Sequence, residues 1–75
     1  MTEAEFAEDV VMELKRCSLM TYVLTKKNYR KLKRYFLKKA KKHLDWDKWQ
    51  RRNEFDRFCR AFNVKISNGT KPKER

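Results

Sequence analysis

KKNYRKLKRYFLKKAKK, residues 26–42, carries ten of the chain's 21 Lys/Arg and no carboxylate. At 100° per residue Tyr29, Leu32, Phe36, Leu37, Ala40 and then Leu44 share one face, which is the spacing of an amphipathic helix. Lys31, Arg34, Lys38, Lys41 and Lys42 fall on the other. Alone, such a helix would repel itself at every like-charged i,i+4 pair. Its apolar stripe must therefore be held by neighbouring segments, or its charge met by a partner. The stretch calls for a helical bundle and for something anionic to bind.

N-terminal to it, Phe6, Val10, Leu14 and Cys17 recur at helical spacing, and Ala7 and Val11 widen the stripe. Glu3, Glu5, Glu8 and Asp9 crowd the first turns and Lys15 and Arg16 the last, as the helix dipole favours. Thr2 with Glu5 forms a capping-box pattern. This predicts a first helix ending between Cys17 and Thr21. Ser18 to Thr25, SLMTYVLT, is an apolar bridge with neither Gly nor Pro to mark a break. Thr25 is the expected N-cap of the basic helix, although lysines follow where acids would be favoured. That local cost suits a helix start whose N–H groups and lysines face an anion.

On the C-terminal side, Asp45 or Asp47 can cap a third helix from about Trp46 to Phe62, with Phe55, Phe58, Cys59 and Phe62 on one face. Asn63 suits the position just past the helix end. Val64-Lys65-Ile66 alternates like an extended segment that lays Val64 and Ile66 on the bundle, and residues 67–75 read as a flexible polar tail. The fold class is all-α: a small three-helix domain over residues 1–66, with a short extended C-terminal segment and a disordered basic tail. Its expected core is Phe6, Val10, Leu14, Leu32, Phe36, Phe55, Phe58 and Phe62. A helix-turn-helix pairing of the second and third helices lacks the usual Gly in its turn and a base-reading row on the last helix.

A chain of 75 residues makes one domain that hides only about 60% of its extended surface, so the core is small. Dimerisation would add apolar burial, and the acidic first helix could meet a neighbour's basic face in a homodimer. The net charge of +11 points to nucleic acid, an anionic membrane surface or an acidic protein face. Five Phe, three Tyr and two Trp against one Gly and one Pro argue against disorder and for helices. Cys17 and Cys59 sit among apolar neighbours, as reduced, buried thiols do. No apolar run approaches the ~18 residues of a membrane span, and the acidic N-terminus lacks the features of a secretory signal. The expectation is an intracellular protein, cytoplasmic or in the nucleoid or nucleus. Asn68-Gly69-Thr70 is then tail chemistry rather than a glycosylation site.

The candidate nucleic-acid-binding residues are Lys27, Arg30, Lys31, Arg34, Tyr35, Lys38, Lys41 and Lys42. Tyr35 stands among lysines on the wheel, where it could stack on a base. Trp46, Trp49, Arg57 and Arg60 form a second candidate set, for a protein partner. Of the two tryptophans, Trp49 is expected mostly buried and Trp46 partly exposed. Catalysis finds no support: the lone His43 has no nucleophile placed beside it, and Cys17, His43 and Cys59 are too scattered for a zinc site. Gly69, the only glycine, excludes a glycine-rich phosphate loop, and the carboxylates Asp45, Asp47, Glu54 and Asp56 interleave with Lys48, Arg51, Arg52 and Arg57 as ordinary paired charge. No cofactor is implied. The leading expectation is a regulatory protein that binds the DNA or RNA phosphate backbone. The alternative is an adaptor or inhibitor that docks on an acidic protein surface. Peripheral membrane binding is weakened because the core needs the apolar stripe.

Overall fold

The computed structural model describes residues 1–67. There are three helices, α1 (Glu3–Cys17), α2 (Lys26–His43) and α3 (Lys48–Ala61), and two short strands, β1 (Val23–Leu24) between α1 and α2 and β2 (Lys65–Ile66) after α3. This is the expected three-helix domain with an extended C-terminal segment. The tail reading beyond Ser67 and the sequon at Asn68 lie outside the described residues.

Each helix begins where a side chain can meet orphan N–H groups. Thr2 Oγ1 accepts from the Glu5 amide at 3.1 Å, and Glu5 Oε1 accepts from the Thr2 amide at 2.8 Å, completing the capping box. Thr25 accepts from the Asn28 amide at 3.1 Å, and Asp47 from the Gln50 amide at 2.7 Å. The Asp47 cap starts α3 two residues later than the expected Trp46. Asn28 Nδ2 also donates to the Cys17 carbonyl at 3.0 Å, tying the first turn of α2 to the end of α1.

Helix α2 is the central element, packed on α1 and on α3. The buried core is Phe6, Val10 and Leu14 from α1, Leu24 from β1, Leu32, Phe36 and Ala40 from α2, and Phe55 from α3. Phe36 lies in the middle, with ring centroids 4.9 Å from Phe6, 5.2 Å from Phe55 and 5.9 Å from Phe58. Phe58 and Phe62, expected in the core, are half-buried. They lie toward the strand end of the bundle, where Phe62 meets the edge of Tyr22 at 5.8 Å. Cys17 and Cys59 are likewise half-buried.

Helix α3 ends in a Schellman motif. The Asn63 amide bonds the Arg60 carbonyl at 3.1 Å, the Val64 amide bonds the Cys59 carbonyl at 2.9 Å, and Asn63 takes φ 55°. That reversal sends β2 alongside β1 in parallel, pairing Val23 with Lys65 and Leu24 with Ile66. Tyr22, just before β1, takes φ 56°, a conformation costing a β-carbon-bearing residue roughly 1 kcal/mol or more. Its carbonyl accepts from the Lys65 amide at 3.0 Å. Ile66 was expected on the bundle but is 39% exposed, because Leu24 across the ladder takes the buried position and β2 is the outer strand.

Candidate nucleic-acid interface

The connection from α2 to α3 is only four residues, Leu44 to Asp47, so α3 runs back along α2 and brings Phe55 to 5.8 Å from Tyr29. Between the two helices lies an open groove of about 730 Å³. Helix α2 lines it with Arg30, Lys33, Arg34, Leu37, Lys38 and Lys41, and α3 with Lys48, Arg51 and Arg52. The α2 residues recur every three or four positions, forming one stripe about 17 Å long at 1.5 Å per residue. On α3 the three cations come from the first two turns, which begin at the Asp47 cap. Arg51 is half-buried and donates from Nη1 to the Trp46 carbonyl at 2.7 Å, which fixes its guanidinium.

The ion pairs among the described residues are Arg16–Glu13, Lys39–Asp9, Arg57–Glu54 and Arg60–Asp56. None of the eight groove cations takes part. The α1 carboxylates Glu3, Glu5, Glu8, Asp9 and Glu13 line no part of the groove. Eight like charges converging on one trough repel one another and focus a positive potential there, which an anion would relieve.

Of the residues read from the sequence, Arg30, Arg34, Lys38 and Lys41 line the groove, whereas Lys27, Lys31 and Lys42 do not. Lys33, Lys48, Arg51 and Arg52 were missed. For the last three the signal was the acid-free run Lys48 to Asn53 at the head of α3, part of the surface read above as interleaved charge, while Lys33 lies within the basic stretch of α2 itself.

Tyr35 is corrected. It does stand beside Lys38, Lys39 and Lys42, but it is half-buried rather than free, and its hydroxyl donates to Asp9 Oδ2 on α1 at 2.5 Å. Lys39 Nζ lies 3.2 Å from the same oxygen and 5.5 Å from the Tyr35 ring centre. The Tyr35 hydrogen bond, with help from Lys39, holds the Asp9 carboxyl below the usual carboxylate range. Burial, then Asp9, pushes the Tyr35 phenol up to about 12. Asp9's share of stability is therefore present above about pH 4 and lost as pH falls through its lowered folded value. Tyr35's share is present below about pH 10 and lost as pH rises through its raised value. Tyr35→Phe should cost about 1–2 kcal/mol at pH 7, since Asp9 stays one-third exposed and paired with Lys39. In thermal melts the gap between wild type and variant should close on acidification below about pH 4. A gap that is the same at pH 3 and pH 7 would show that the hydrogen bond is not what the hydroxyl supplies.

Of the tryptophans, Trp49 is corrected: it is 73% exposed, not buried. Trp46 is partly exposed as expected, half-buried with its ring edge-on to Phe6 at 5.8 Å and over Phe36 at 6.4 Å. Because Asp47 is the cap, Trp46 belongs to the connection that crosses beneath α1, and Trp49 projects from the first turn of α3. The expected set of Trp46, Trp49, Arg57 and Arg60 is thus divided. Arg57 joins Trp49 around a shallow depression, yet Arg57 and Arg60 are paired with Glu54 at 3.4 Å and Asp56 at 3.1 Å.

Burial pushes the Cys17 thiol up and raises that of Cys59 to about 11, so neither is a thiolate nucleophile at neutral pH. Among the described residues no group of three or more His, Cys, Asp or Glu is placed to hold a metal ion, and no helix is long and apolar enough to cross a membrane. Comparison with protein-family models, with curated proteins and with solved structures finds no match to this chain.

Proposed function

We propose that this protein is a small, regulatory nucleic-acid binder that grips the phosphate backbone in the α2–α3 groove without reading base sequence. The observation that carries this reading is the convergence of eight cations from two helices on one trough, none of them in an ion pair among the described residues. Arg30, Arg34, Arg51 and Arg52 can each fork two N–H donors onto a phosphate, and the lysines add point charge. Leu37 on the groove lining offers apolar surface to a sugar. Such a role belongs inside the cell, where nucleic acid is.

Binding of a fluorescently labelled oligonucleotide, followed by anisotropy across a salt series, tests it. Log affinity should fall linearly with log salt with a slope of roughly −3 to −6, the mark of four or more neutralised phosphates. Absence of binding at low salt would reject the reading.

A second reading, an adaptor or inhibitor on an acidic protein face, is favoured by the exposure of Trp49 beside Arg57. Arg57→Ala separates the two, since Arg57 lies beside Trp49 but lines no part of the groove: it should weaken a protein partner and leave nucleic-acid binding unchanged. Membrane insertion has no free apolar stripe to use, because Leu32, Phe36 and Ala40 are buried.

A further inference from the structure

We infer that the occupant of the groove is a single strand of nucleic acid, and that Trp49 is the platform on which one of its bases stacks. This occupant presupposes the phosphate groove proposed above and narrows what enters it. Two packed helices have axes about 8–10 Å apart, and the trough between them admits one backbone rather than both strands of a duplex. Its ~17 Å stripe on α2 is long enough to track several consecutive phosphates of one strand.

A strand held by its backbone must put its bases somewhere, and the α3 rim supplies the place. Trp49 follows Lys48 directly and lies three residues before Arg52, both of them groove residues, so its ring stands one step around the helix from the phosphate contacts. It is 73% exposed, and it takes no part in the ring cluster around Phe36. Gln50 and Asn53 line the same shallow depression together with Asp47, Glu54 and Asp56. Asp47 caps α3, Glu54 and Asp56 are paired with Arg57 and Arg60, and the two uncharged amides can both donate to and accept from a base edge. An exposed indole costs solubility and contributes nothing to this core, whereas a stacked base would cover it. Tyr35, the other aromatic near lysines, is held by Asp9 and unavailable for the purpose.

The test uses the full chain, wild type and Trp49→Ala, with four labelled probes twelve nucleotides long: oligo-dT, oligo-rU, a dT·dA duplex and an abasic deoxy strand. Because Trp49 lies outside the core, both proteins should give the same circular dichroism melt. Trp49→Ala should lose roughly 5- to 100-fold in affinity for oligo-dT, oligo-rU or both. It should bind the abasic strand as wild type does, and its salt slope should be unchanged. A dependence on Trp49 confined to the ribo or the deoxy strand would say which sugar the groove prefers and would support the inference equally. Equal affinity of the two proteins for both oligo-dT and oligo-rU, with the abasic strand still bound, overturns the stacking role and leaves the phosphate groove standing. Tighter binding of the duplex than of either strand overturns the single-strand assignment. Failure of all four probes at low salt removes the groove reading and this inference together.

Discussion

Reversing three groove charges at once, Arg34→Glu, Lys38→Glu and Arg52→Glu, should weaken nucleic-acid binding roughly 100-fold or more at low salt and flatten the salt slope by about 2–3. The three side chains come from both walls of the groove, all are exposed, and none is in an ion pair among the described residues. The fold should therefore tolerate the change, and the melting temperature should hold or rise as repulsion is relieved. The matched control is Lys27→Glu, Lys31→Glu and Lys42→Glu, which alters net charge equally on α2 but outside the groove. Anisotropy titrations of both triple variants decide the matter. Equal losses in the two would mean that affinity follows net charge alone and that the groove has no special part.

The largest effect on stability should come from Phe36→Ala. Phe36 is 3% exposed and its ring meets those of Phe6, Phe55 and Phe58 from all three helices, with Trp46 covering it from the α2–α3 connection. Emptying that site should cost about 3–5 kcal/mol, a large part of the 5–15 kcal/mol that holds a typical domain. In a domain of this size that lowers the melting point by about 12–40 °C. Phe62→Ala, at the half-buried strand end, should cost clearly less. Thermal melts by circular dichroism compare the two, and a Phe36→Ala melt within a few degrees of wild type would mean that the core is organised around another residue.

Much of this architecture was legible because helices announce themselves locally. Thr2 with Glu5, Thr25 and Asn63 each act within a few residues of their own position, and each does what its chemistry suggests. What escaped notice depends on residues far apart in the chain. SLMTYVLT carries no local sign that Val23 and Leu24 pair with Lys65 and Ile66, since a two-residue parallel ladder forms only once the bundle has brought both segments together. Tyr35 looked free on a wheel drawn for α2 alone, because Asp9 belongs to another helix. The groove is a property of two helices at once, and half of its cations, Lys33, Lys48, Arg51 and Arg52, gain meaning only when α3 folds back on α2. For the tryptophans the deciding detail was which aspartate caps: Asp47 in that role leaves Trp46 to the core and sends Trp49 to the surface.

Helix α1 keeps its carboxylates out of the groove, and Asp9 is spent on Tyr35 and Lys39. Half of the chain's ten acidic side chains thus lie on α1, while eight cations converge between the other two helices, and this uneven distribution gives the molecule a lasting electric dipole moment. In the field of a polyanion that moment exerts a torque, turning the protein while it is still diffusing so that the trough leads and α1 trails. Fewer collisions are wasted on the wrong face, and capture quickens before any contact forms. Added salt then acts on the speed of arrival as well as on the grip, because the orienting field dies away within about a Debye length.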